Sequence, residues 1–306
     1  MPNLEYFFTL NEKEIELQYR IIHYYKNHES TFLNGLIRST DTGSLIKLAL
    51  LNPEIDEICH LPQFAEYWNN VWRLCGVNPR ENAEINGRPI HEYMPIATIP
   101  SCFEQIKGYF LYVTYQHLLD KDGNLSKELY PEAETYLTAS AQFGCYFSAN
   151  ILCRTGINLL QNRFDEEIVK KILFFAEIAA RLYLSPGYFL LANMYQELIK
   201  FEGEPILGAF DLRMEAFRAI NIAKRLEDYS APMINNAYQG KTLAAATGGQ
   251  IKSYSEAEQR LQQLLCLNYD ELEISSKKAK AEADLIIDQL HLDEALNSEA
   301  SVSIAG

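Results

Sequence analysis

Basic residues are in short supply in this chain. Lys and Arg number 27 against 41 Asp and Glu, which leaves a net charge of −14. Such a field repels a nucleic-acid backbone, because binding there depends on Lys and Arg displacing condensed counterions. The one dense basic run, Lys277-Lys278-Ala279-Lys280, is followed at once by Glu282 and Asp284. Attraction to an anionic membrane surface is disfavoured for the same reason. No apolar run approaches the roughly 18 residues of a membrane helix, so no membrane insertion is expected. Met1-Pro2-Asn3-Leu4-Glu5 lacks the basic stretch and apolar core of a secretory leader. The six cysteines form no C-x-x-C pair, which excludes a zinc ribbon and a thioredoxin-type motif. The expectation is a soluble chain in a reducing cytoplasm, with a preference for basic partners.

Catalytic signatures are equally scarce. The six histidines are scattered, without H-E-x-x-H or a second ligand at helical spacing. There is no G-x-S-x-G, and Thr247-Gly248-Gly249-Gln250 lacks the lysine of a nucleotide loop. Asp120, Asp122 and Asn124 match the first, third and fifth positions of a calcium loop. Leu125 replaces its turn glycine, however, and Pro131 its bidentate glutamate. Cys75 and Arg80 sit near one turn, but Glu81 stands where a phosphatase-type loop needs its arginine. His91 beside Glu92 has no evident partner in sequence. No catalytic residue, metal ligand or cofactor is therefore assigned. An enzyme whose site assembles from distant residues is the alternative.

What is present is a folded, aromatic-rich helical chain. It is 48% hydrophobic and 22% charged, with 19 Tyr and 15 Phe, a composition able to bury a sizeable core in one or two domains. Asn11 with Glu12 and Glu14 marks a helix start, and Ile15, Tyr19, Ile22 and Tyr25 recur at helical spacing on one face. A second helix is predicted over 31–38. Asp41-Thr42-Gly43-Ser44 caps a stripe of Leu45, Leu48, Ala49, Leu51 and Ile55, with Pro53 near the end of that helix or kinking it. Phe64, Trp68, Val71, Trp72 and Cys75 make another amphipathic set. Pro79, Pro89, Pro95 and Pro100 with Asn86-Gly87 make residues 77–101 a loop-like junction with a short hairpin. Ile106, Tyr109, Phe110, Val113 and His117 then share a helical face.

Beyond the junction three stretches vary one theme, a pair of short helices rich in small residues, near 132–160, 167–200 and 209–241. Phe143, Leu182 and Leu226 fall in equivalent places, 39 and 44 residues apart, a period typical of stacked helical hairpins. Ser185-Pro186-Gly187 and Glu202-Gly203-Glu204-Pro205 supply turns. A helix over 255–267 caps the stack, and a final helix runs from Ser276 to about Leu296 before a frayed end. The predicted fold is all-α: an N-terminal helical module (1–101), a hairpin array (102–270), and a C-terminal helix with an acidic flexible tail (271–306).

Ser140-Ala141-Gln142-Phe143-Gly144 with Ala149 resembles the Sel-like relatives of tetratricopeptide repeats. That resemblance implies a protein-binding scaffold with a concave face. Tyr146, Tyr188, Tyr195 and Tyr238, each on or just before a second helix of a unit, are the candidate contact residues, with core packing as the competing role. Ser44–Asn52, with Tyr67-Trp68 and Leu74-Cys75, is similar to the second half of an F-box, although the opening Leu-Pro-x-Glu is missing. That likeness implies docking of a ubiquitin-ligase adaptor through Leu45, Leu48, Leu51, Trp68 and Trp72. Residues 282–299 carry Glu282, Asp284, Asp288, Asp293, Glu294 and Glu299, followed by Ser301, Ser303, Ile304 and Ala305. This resembles the tail by which intracellular bacterial pathogens export effectors through a type IVB system. The expected function is a non-catalytic scaffold delivered into a host cytoplasm to bind a host protein.

Overall fold

In the computed structural model, residues 4–74, 84–85, 88–89, 102–161, 163–207, 211–227 and 253–304 are described. Thirteen α-helices account for most of the described residues, and the fold is all-α. Two strands of two residues, β1 (Glu84–Ile85) and β2 (Arg88–Pro89), pair antiparallel around Asn86-Gly87, where a hairpin was expected. Cys75, His91 and Glu92 lie outside the described residues. The chain divides into two compact units, Met1–Asn78 with Pro100–Ser148, and Pro79–Ile99 with Ala149–Gly306.

The first unit contains α1 (Glu12–Lys26), α2 (Ser30–Ser39), α3 (Thr42–Leu51), α4 (Pro53–Cys59), α5 (Ala65–Leu74), α6 (Cys102–Gln116) and α7 (Tyr130–Gln142). Helix α1 starts on a capping box. The Asn11 side chain accepts from Glu14 N at 3.0 Å, and Asn11 N donates to Glu14 Oε2 at 2.8 Å. The apolar set expected on one face is split. Ile21 is buried and Leu17, Ile22 and Tyr24 pack on the same core, whereas Ile15 and Tyr19 are 49% and 76% exposed. Glu14 joins the buried side. It is buried because Lys47 Nζ reaches its two oxygens at 3.0 and 2.8 Å. Burial pushes the Glu14 carboxyl up, but the bonds from Lys47 and from Asn11 N hold it below the usual carboxylate range.

Pro53 lies just past the end of α3, as expected, and does not kink it. It opens α4 at the first helical position, behind Asn52, whose side chain accepts from Glu54 N at 2.9 Å. Helices α5 and α6 then pack together. The Trp68 and Phe103 ring centroids are 4.2 Å apart, and Trp68 Nε1 donates to the Cys59 carbonyl at 2.7 Å. Pro100–Ser148 group with the N-terminal helices in the first unit. Helix α7 ends as expected on Gly144, whose φ of 88° suits a residue without Cβ. The calcium-like loop is a closed turn: Asp120 Oδ1 accepts from Asp122 N at 2.9 Å and Asn124 N at 2.8 Å.

Helix α8 (Tyr146–Leu160) crosses the division between the units. The second unit continues with α9 (Glu166–Tyr183), α10 (Ser185–Leu198), α11 (Leu212–Arg225), α12 (Tyr254–Leu265) and α13 (Tyr269–Ile304). Helix α10 packs between α9 and α11, and α11 also meets α12 and α13. Small residues permit this closeness, since Ala179, Ala180, Ala192, Ala219 and Ala223 are all buried. One residue, Leu184 at φ 51°, joins α9 to α10. Ser185-Pro186-Gly187 is the first turn of α10 rather than a connecting loop. A Cβ on Gly187 would lie 1.9 Å from the Ala179 carbonyl oxygen. The second helix expected in the third repeat falls outside the described residues. The final helix starts earlier and runs on to Ile304, past the expected stop near Leu296.

Candidate functional site

In the first unit α4 and α6 face each other and bring together four ionisable side chains. Asp56 and His60 are one turn apart at the end of α4, and Glu104 and Lys107 are one turn apart on α6. Lys107 is 2% exposed, so its ammonium must be paired inside the protein. It lies 2.6 Å from Asp56 Oδ1 and 2.9 Å from Glu104 Oε1. The rings of Phe103 and Phe143 also take it at 5.2 and 4.6 Å. His60 Nε2 is 3.0 Å from Glu104 Oε1, and its Nδ1 lies 2.8 Å from the Asp56 carbonyl.

Each charge alters its neighbours. The Glu104 bond raises the His60 pKa above the ordinary value against the opposing effect of burial. Burial pushes the Glu104 carboxyl up, but His60 and Lys107 hold it below the usual range. Cys59, one residue before His60, is pushed up to about 12 by burial and then by Asp56, and so is a thiol rather than a nucleophilic thiolate. The ligand atoms of Asp56, His60 and Glu104 lie within 4.8 Å of one another, close enough for a metal site. The Lys107 ammonium stands among them and supplies the positive charge that an ion would bring.

Beside the cluster is a recess of about 110 Å³, lined by Cys59, Leu61, Ala65, Trp68 and Phe103, with His60 and Asn69 as its polar edge. Its walls are apolar and aromatic, and its size suits one side chain rather than a cofactor. Sequence reasoning missed both features. The available signal was Asp56, Cys59 and His60 at helical spacing, but Lys107 is 51 residues from Asp56 in sequence.

The residues singled out from sequence lie elsewhere or serve the core. Leu45 and Leu48 are fully buried, Trp68 is 2% exposed and Leu51 is half-buried. The Trp72 side chain lies outside those described. Side chains so enclosed cannot dock an adaptor while the unit stays folded. Tyr146, Tyr188 and Tyr195 are also buried, so these three fill the core rather than form a contact face, and Tyr238 lies outside the described residues. Tyr188 donates to Glu282 Oε1 at 2.9 Å, and the other oxygen of Glu282 accepts from Arg218, which also pairs with Glu215. That network fastens α13 to α10 and α11.

A family model matches residues 33–261, which include the whole α4–α6 cluster. The chain belongs to the DUF5630 family. Its description is a family of unknown function, and neither the Sel-like nor the F-box resemblance is confirmed by it. No curated protein matches this DUF5630 chain. Its fold is similar to that of the uncharacterised protein lpg1670, with a TM-score of 0.69 at 20% identity over 90% of this chain and 99% of the other. It is also similar to the Legionella pneumophila effector Lpg2505, with a TM-score of 0.60 at 20% identity, covering 89% and 94% of the two chains. A second structure of Lpg2505, there called MesI, gives 0.59 at 21% identity over 88% and 94%. The DUF5630 chain thus has the fold of a Legionella effector. Among its described residues no helix is long and apolar enough to cross a membrane.

Proposed function

We propose that this DUF5630 protein is a translocated bacterial effector that acts by binding a host protein without chemistry of its own. The observation that carries the reading is the fold, shared with the Legionella pneumophila effector Lpg2505 over 89% of this chain. The α4–α6 site supports the binding part. Asp56, His60, Glu104 and Lys107 are spent on one another, and the adjoining recess has room for one apolar side chain of a partner. Aromatic walls around a small, desolvated pocket are the usual seat of an interface anchor. The acidic C-terminal segment is the proposed export signal.

Export is tested by fusing the full chain to a translocation reporter in donor bacteria with an intact or a disabled type IVB system. Signal in host cells from the intact donor alone is expected. Equal signal from the two donors refutes the effector reading. Binding is tested by affinity capture from host lysate with the full chain and with Ala65→Trp, which fills the recess from an exposed position. A partner held by the wild type and lost from the variant, at an unchanged melting temperature, is expected. A partner retained equally by both removes the recess from the interface.

A further inference from the structure

Helix α13 is seated by α10 and α11, not by the helix that precedes it. Helices α12 and α13 both pack on α11 and scarcely touch each other. Ala279 and Ala283 are fully buried, Ser275 Oγ donates to the Met214 carbonyl at 2.9 Å, and Glu282 accepts from Tyr188 and Arg218. Only Cys266–Asn268 join α12 to α13. Cys266 stands at φ 50° and ψ 37°, the left-handed conformation that a helix end ordinarily gives to glycine because it crowds a Cβ. Asn268 belongs to α13, since its side chain accepts from Glu271 N at 3.0 Å and its own N donates to Glu271 Oε2 at 2.8 Å. The helix therefore keeps its start when the link turns. Leu264 and Tyr269, on either side of that link, are 59% and 77% exposed.

We infer that two copies of the chain exchange α13, each laying it in the seat on the other's α10 and α11. The occupant of that seat is already known, because the seat holds this same helix within one chain, and every contact of the closed form is remade in the exchanged dimer. Opening the link gives up almost no contact between α12 and α13. It also releases Cys266 from the left-handed region in both copies, and a short link under strain favours exchange over folding back. The two opened links run past each other, which brings the exposed Leu264 and Tyr269 of both copies together and covers them. The exchange leaves the α4–α6 recess untouched and stands whether or not the chain is exported.

The experiment pairs two variants of the full chain, Glu282→Lys and Arg218→Glu. Alone, each sets like charges together in its seat, in the monomer and in its own exchanged dimer alike. Mixed, exchange lays the introduced lysine against the introduced glutamate and Glu215, and the untouched Glu282 against the untouched Arg218, so exchange alone restores both pairs. A dimer formed through any other face gains nothing from mixing. Wild type, each variant and the equimolar mixture are refolded from urea at about 100 μM and sedimented. A reductant keeps the exposed Cys266 from forming disulfides. Wild type should contain dimer beside monomer, and the mixture roughly tenfold more dimer than either variant alone. Cys266→Gly, which removes the strain from the folded-back link, should dimerise roughly tenfold less than wild type. That variant relieves a strained residue and folds at least as well as wild type, so its result stands even where the charge variants unfold. A wild type wholly monomeric after refolding overturns the inference. So does a mixture no more dimeric than its folded components, or Cys266→Gly dimerising as wild type does.

Discussion

Replacing Lys107 by Met tests whether the α4–α6 cluster is a closed set of charges. Methionine keeps most of the apolar stem but removes the ammonium that lies 2.6 Å from Asp56 and 2.9 Å from Glu104. Breaking a fully buried pair costs about 3–5 kcal/mol. Asp56 and Glu104 are 30% and 25% exposed, so water takes up part of the loss and about 2 kcal/mol is expected. With a urea slope of about 2 kcal/mol per molar, the unfolding midpoint of this unit falls by about 1 M at pH 7. The pH dependence gives the sharper test. The folded-state pKa of Glu104 is depressed, so its stabilisation is present above the unfolded carboxylate value and is lost as pH falls through the folded value. Losing Lys107 raises that folded value. The gap between wild type and variant should therefore be largest at pH 7 and should narrow toward pH 4. Urea titrations followed by circular dichroism at the two pH values measure it. A variant as stable as wild type at pH 7, or a gap that does not narrow on acidification, refutes the reasoning.

Other consequences can be checked independently. The raised pKa of His60 means that its contribution is complete below the unfolded value and is lost as pH rises through the folded one; the wild-type urea midpoint should fall above pH 6.5 with a slope that His60→Gln removes. Gly187→Ala sets a methyl 1.9 Å from the Ala179 carbonyl oxygen, a contact only backbone movement can relieve, so thermal denaturation should show a loss of about 3 kcal/mol or more. Among Cys59, Cys145, Cys153 and Cys266, only Cys266 is exposed, and peptide mapping after brief alkylation should find it modified well before the other three. Glu282→Gln weakens the bonds from Tyr188 and Arg218, and hydrogen exchange should then show faster opening of α13 near Ala279 and Ala283.

Much of the architecture was legible because helix ends are written locally. Asn11, Asp41, Asp165, Asp211 and Ser253 each cap the helix that follows within three residues. What failed were decisions taken at a distance. On α1 the apolar spacing does not show that Ile15 and Tyr19 stay exposed while Ile22 packs on the core, nor that Glu14 is buried. Its partner Lys47 is 33 residues away. Tyr188 and Tyr195 were misplaced for a related reason. Helix α10 is enclosed by neighbours, so both tyrosines turn inward, and Tyr188 finds Glu282, 94 residues on. The α4–α6 cluster joins residues from two stretches that the proline-rich junction separates, and no local spacing announces it.

The length of α13 bears on how the protein would respond to force. Its 36 residues rise about 54 Å, and the clasp of Tyr188 and Arg218 on Glu282 sits well before its midpoint. A pull on the C-terminus reaches half-buried Ile287 and Ile286 and fully buried Ala283 before it loads the clasp. There the resistance changes from peeling to rupture of a joint between three helices. Once Glu282 is released, Ala279 and Ser275 leave their seats and α11 loses one wall. Any machine that threads this chain from its C-terminus therefore meets a mechanical lock at Glu282.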